Sequence, residues 1–278
     1  MKQPAFGTRL RVHDQVLGNE IWFGNGAPVV GDQFTHAYAR DRSKIIVGLL
    51  WRAARTRHRA GDAALASRYE TLAENIQSCC PHRRCGSLAC MECALGIQKA
   101  KFEGQVELIR RLQAKQPGKQ LVMATLIPLR FRYAPDQLDE LNVRAANRWL
   151  KDNLTRAGFR REMFGSFDLS LEDRGVYQGH WHVPMLTSNP DELKLRLKEI
   201  FPTSGIVKRP VVVSRTYSNG YIAYKDKGIK ILELLRRNRR GLPRLLLALD
   251  RIDSMELMVL MRLRVSAQNG ELKFKSIT

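Results

Sequence analysis

All five cysteines of this 278-residue chain fall within fifteen residues, at Cys79, Cys80, Cys85, Cys90 and Cys93. A disulfide framework spreads its half-cystines along a chain, whereas this crowding suits a metal knuckle in a reducing compartment. Cys85, Cys90 and Cys93 give the spacing C-x4-C-x2-C, and Gly86 with the short side chains after it permits the tight turn that gathers thiolates around one ion. Cys80 is the expected fourth tetrahedral ligand, with Cys79 or His82 as alternatives. Structural Zn²⁺ is the expected ion.

The chain around the knuckle is 44% hydrophobic with 8% aromatic residues, enough apolar surface to offset the entropy of ordering a folded core. No apolar run approaches the roughly 20 residues that span a bilayer, and residues 1–15 lack the apolar region of a secretion signal. A cytoplasmic protein without membrane contact is expected. Forty-seven Lys and Arg against 27 Asp and Glu leave a formal charge of +20, which points to a polyanionic partner, nucleic acid above all.

Residues 1–40 carry Gly, Asn and Asp turns without a period and read as an arm. Helical spacing from 43 to 76 predicts two helices, with the basic set Arg52, Arg55, Arg57 and Arg59 on a solvated or phosphate-touching face. A helix over about 94–114 follows the cysteines. Next come a strand (120–129), a helix opened by Asp136 and Asp139 (to 158), strands at 161–171 and 178–186, a helix (188–200), a strand (206–215) and a helix (218–235). That order predicts an α+β fold: a four-stranded antiparallel sheet of split β-α-β type, with N-terminal helices, a zinc knuckle and an apolar helix pair over 241–264. The corresponding segments are 1–78 (arm and helices), 79–116 (knuckle and helix), 117–235 (core) and 236–278 (basic cluster and C-terminal helices).

Within the core, His180-Trp181-His182 lies on a predicted strand. Residues i and i+2 share a face, so the two imidazoles stand side by side as a pair of metal ligands. Glu172, eight residues earlier, comes back beside them across the hairpin and is the expected third ligand, with Asp173 and Asp168 as rivals because one residue of register slip changes the face presented. Oxygen beside two imidazoles suits Mn²⁺ or Mg²⁺. Farther on, Tyr221, Tyr224, Lys225 and Lys227 share a predicted helix, where a phenolic nucleophile one turn from an ammonium suits attack at phosphorus.

Taken in order, these motifs resemble the HUH superfamily of replication initiators, relaxases and transposases. His180-Trp181-His182 resembles its metal motif, Glu172 the third ligand of virus-type and plasmid-type initiators, and Tyr224-Lys225-Asp226-Lys227 its nucleophile motif. Met123-Ala124-Thr125-Leu126-Ile127-Pro128 resembles the family's first, structural strand, and the segment Cys85 to Cys93 resembles the knuckles of several plasmid rolling-circle initiators. The resemblance implies a ferredoxin-like HUH sheet and a metal-dependent single-strand DNA endonuclease. Such an enzyme nicks and rejoins DNA at a plasmid replication origin through a 5′-phosphotyrosyl link, starting rolling-circle replication. Tyr224 is the implied nucleophile, aided by Lys227, with Tyr221 as the alternative. No phosphate-loop pattern is present in the sequence, so unwinding falls to a host helicase. An HUH transposase or mobilisation relaxase shares the motifs. A non-catalytic zinc-knuckle nucleic-acid-binding protein is the reading from another class.

Overall fold

The computed structural model describes residues 36–80, 82–172, 175–214, 241–268 and 271–277. It opens with a helical hairpin, α1 (His36–Arg59) and α2 (Ala63–Gln77). Asp62 caps α2 by accepting the Leu65 N–H at 3.2 Å. Ile46, Leu50 and Ala54 recur at helical spacing and are buried with Leu65, Tyr69, Leu72 and Ile76. After the cysteines, α3 (Met91–Lys115) leads to the sheet.

The four expected strands form as β1 (Gln120–Leu126), β3 (Met163–Leu171), β4 (Tyr177–Thr187) and β5 (Val211–Ser214), with a short β2 (Arg132–Tyr133) after the first. Helices α4 (Val143–Arg156) and α5 (Pro190–Ile200) connect them. The class is α+β, but the sheet is wider than the predicted four strands. Its order is β5-β1-β4-β3-β6, with β2 pairing β4 alongside, and every pairing is antiparallel.

Two predicted helices are corrected. The helix expected from Asp136 starts at Val143 instead, because a 3-10 turn occupies Pro135–Glu140 and the Asn142 side chain, not Asp139, accepts the capping N–H of Ala145 at 2.9 Å. The C-terminal helix pair is one helix, α6 (Leu242–Arg251), followed by strands β6 (Met258–Met261), β7 (Leu263–Gln268) and β8 (Glu271–Ser276). A short apolar run such as Met258-Val259-Leu260-Met261 satisfies either period; the free edge of β3 decides it, pairing Met163 with Met261 through Ser166 with Met258.

One face of the sheet packs on α4 and the end of α5. Trp181, fully buried, lies 6.1 Å from the stacked ring of Trp149, meets Phe131 and Phe167 edge-on, and donates its indole N–H to Asn147 Oδ1 at 2.7 Å. Asn147 in turn donates to the carbonyls of Glu256 and Met258, at 2.6 and 3.2 Å. A single amide therefore ties α4, the central strand and the last strand of the sheet together.

Candidate functional site

The histidine cluster follows from the hairpin between β3 and β4. The Gly175 N–H donates to the Glu172 carbonyl at 2.9 Å and the Glu172 N–H to Val176 at 2.8 Å, with Gly175 at φ 75°. This is a three-residue loop closed by a left-handed residue, which glycine adopts without a Cβ penalty. It sets Asp168 opposite His180 and Ser166 opposite His182. A two-residue loop would have shifted the pairing by one and put Phe167, not Asp168, across from His180.

On the neighbouring strand, Thr125 faces His182. Its Oγ1 lies 3.0 Å from His182 Nδ1, while His180 Nδ1 lies 3.3 Å from the Gln178 carbonyl. In the tautomer that donates Nδ1–H to these oxygens, Nε2 carries the lone pair that a metal takes, the arrangement that orients metal-bound imidazoles. His180 Nε2 is 3.7 Å from Asp168 Oδ2, and the two imidazole rings are nearly perpendicular with centroids 4.9 Å apart. One ligand atom from each of Asp168, His180 and His182 falls within 4.8 Å of the others, with Asp168 and His180 buried. Asp168, a rival in the sequence, thus stands where Glu172 was expected. Glu172 lies four residues farther along the chain, just past the end of β3 and about 13 Å away at strand rise, and its carboxylate is bound to Arg132. Asp173, Tyr221, Tyr224 and Lys227 lie outside the described residues.

The cysteine cluster gathers Cys79, Cys85, Cys90 and Cys93, whose sulfurs all lie within 4.8 Å of one another. The Cys79–Cys93 and Cys85–Cys93 sulfur distances are 3.5 and 3.7 Å. A tetrahedron with about 2.3 Å metal–sulfur bonds has edges of about 3.8 Å, so the four thiols can hold a metal such as zinc. Cys79 replaces the expected Cys80. Successive extended residues point opposite ways, and Cys80 is taken up in a backbone bridge with Arg83 (3.3 and 3.0 Å) while His82 sits on the exposed turn between them.

The surroundings suit thiolates. Cys90 occupies the N-cap position of α3 and Cys93 lies in its first turn, where the helix dipole favours negative charge. Ser43 of α1 accepts the Met91 N–H at 3.2 Å and lies 3.9 Å from Cys90 Sγ. Buried Glu92 holds Arg84 at 2.5 Å and Arg40 of α1 at 3.3 Å. Burial works against the Arg84 charge, but Glu92 and the sulfurs of Cys93 and Cys79 outweigh it and raise the guanidinium pKa. Among the four thiols, a hydrogen bond from Cys85 pushes the Cys79 thiol down, and Cys93, bonded by Cys79, is pushed up.

Sequence reasoning missed the Thr125 and Gln178 contacts that orient the histidines. A threonine two strand positions from a turn is a weak signal, and only the sheet order reveals its neighbour. No helix among the described residues is long and apolar enough to cross a membrane. Comparison with protein-family models, with curated proteins and with solved structures finds no match to this chain.

Proposed function

We propose that the chain is a metal-dependent single-strand DNA endonuclease and strand transferase of HUH type that initiates rolling-circle replication. The observation that carries this reading is the cluster of Asp168, His180 and His182 on the central strand pair, with both Nδ1 atoms anchored. The arrangement of the four strands drawn from residues 120–214, β5-β1-β4-β3, supports it as well, since this is the order of a split β-α-β sheet. Asp168, His180 and His182 hold Mn²⁺ or Mg²⁺, and the ion supplies Lewis acidity at a phosphoryl oxygen. Tyr224 Oη forms the new bond to phosphorus as the P–O3′ bond breaks, and the phenolic proton ends on the departing 3′ oxygen. Reverse attack by that hydroxyl rejoins the strand. Lys227 stabilises the phenolate, and Tyr221 is the alternative nucleophile. The Cys79, Cys85, Cys90 and Cys93 cluster holds Zn²⁺ as a structural ion. The formal charge of +20 supplies the phosphate contacts to origin DNA.

Incubating the protein with single-stranded DNA and Mn²⁺, followed by mass spectrometry of tryptic peptides, tests the reading. A nucleotide adduct on the peptide carrying Tyr224 is expected and should vanish in Tyr224→Phe. Absence of an adduct on any tyrosine would leave a zinc-knuckle nucleic-acid-binding protein as the better account.

A further inference from the structure

Away from the histidines, a cleft of about 330 Å³ opens between the end of α3, the start of β1 and the segments after α4 and β4. Its shape is set by the end of α4. The Phe159 N–H donates to the Leu154 carbonyl at 2.9 Å and the Gly158 N–H to Thr155 at 3.0 Å, with Gly158 at φ 83°. This glycine-terminated helix end turns Phe159, Arg160 and Arg161 into the cleft wall. Lys119 lines the same cleft.

Lys119 Nζ and Arg161 Nη1 both donate to one neutral oxygen, Gln116 Oε1, at 3.0 and 2.8 Å. Two cations therefore sit within 6 Å of each other; of the carboxylates lining the cleft, Glu162 is engaged by Lys115 at 3.4 Å and Glu192 lies in the first turn of α5. Like charges held this close repel one another, and a bound phosphate carrying one or two negative charges relieves that repulsion. Beyond the cations, Leu121, Leu186 and Phe159 give the cleft an apolar wall. Its volume lies at the small end of ligand pockets, the scale of one nucleotide unit with its base on the apolar side.

We propose that this cleft seats one nucleotide of a single DNA strand, its phosphate on Lys119 and Arg161. The strand is the one cut at the histidine cluster, so in identifying the ligand as DNA the proposal rests on the reading above. The test removes the two charges while keeping polar side chains, with Lys119→Gln/Arg161→Gln. A control removes two exposed charges elsewhere, Lys273→Gln/Lys275→Gln on β8. Binding of a short fluorescent oligothymidylate is measured by anisotropy over a salt series. The cleft variant should bind on the order of tenfold more weakly, and its slope of log affinity against log salt should fall by about 0.7, the value for one phosphate neutralised on a single strand. The control pair should change affinity less than twofold.

Equal losses in the two variants, or none in the cleft variant, would overturn the proposal. Competition by thymidine monophosphate separates the sources of phosphate: displacement much weaker than by unlabelled oligonucleotide supports a strand, and equal potency overturns it. Cleavage is scored separately. Wild-type protein that binds at the cleft but never forms an adduct would sink the nuclease reading and leave the cleft assignment standing.

Discussion

At the scale of single residues, the histidine cluster makes sharp demands on carboxylates that look interchangeable in the sequence. Asp168→Asn should abolish metal-dependent cleavage, whereas Glu172→Gln, which only releases Arg132, should leave it within a few-fold; the reverse order in a cleavage assay would show the wrong carboxylate has been assigned. Thr125→Val keeps the shape but removes the Nδ1 partner of His182. It should lower metal affinity or activity about 10–100-fold, as losses of outer-shell partners do, and metal titration followed by calorimetry reads this directly. The histidine pair was legible because its spacing alone puts both rings on one face. The carboxylate was not, since the choice among Asp168, Glu172 and Asp173 turns on loop length. The cysteines divide in the same way: the cluster was visible as crowding, but Cys79 and Cys80 are neighbours, and only the bridge from Cys80 to Arg83 shows which one turns inward. Zinc content should therefore survive Cys80→Ser and be lost in Cys79→Ser.

At the scale of elements, Asp139 shows how a residue that reads as a helix cap can be claimed by tertiary structure. Arg68 of α2 and Arg244 of α6 reach its carboxylate at 3.0 and 2.8 Å, and Arg251 of α6 lies 3.4 Å away. The Arg68 hydrogen bond, aided by the charges of Arg251 and Arg244, lowers the Asp139 pKa below its ordinary value. A depressed carboxylate stabilises the fold above its unfolded pKa of about 4, and the contribution is lost as pH falls through the lower folded value. Asp139→Asn should thus cost on the order of 1 kcal/mol at neutral pH and flatten the acid limb of the melting profile below about pH 4. Unaltered acid sensitivity in thermal melts would remove Asp139 from this role. The same competition explains why α4 begins at Val143. With Asp139 engaged by three arginines, Asn142 is the nearest side chain left to cap the helix, and no local propensity distinguishes the two.

At the scale of the whole molecule, the segment after α6 belongs to the sheet. The sequence places an independent core over 117–235 with helices behind it, because the apolar spacing from 241 to 264 fits a helix as well as it fits strands. What decides the matter is non-local: β3 has an edge that β6 covers, and the Asn147 amide needs the carbonyls of Glu256 and Met258. β6 to β8 bury Met258, Val259, Met261, Leu263, Leu272 and Phe274. At roughly 1.5–3 kcal/mol for each buried side chain, these six contribute about 9 kcal/mol or more, comparable with the ~5–15 kcal/mol that holds a whole domain together. A chain ending at Leu257 would lose that contribution, expose the hydrogen-bonding edge of β3 and leave one Asn147 bond unmade. It should therefore unfold or aggregate instead of persisting as a smaller nuclease core. Size-exclusion chromatography with thermal melting checks this: a monomeric fragment melting near the full-length protein would mean that β6 is an accessory and that the core closes without it.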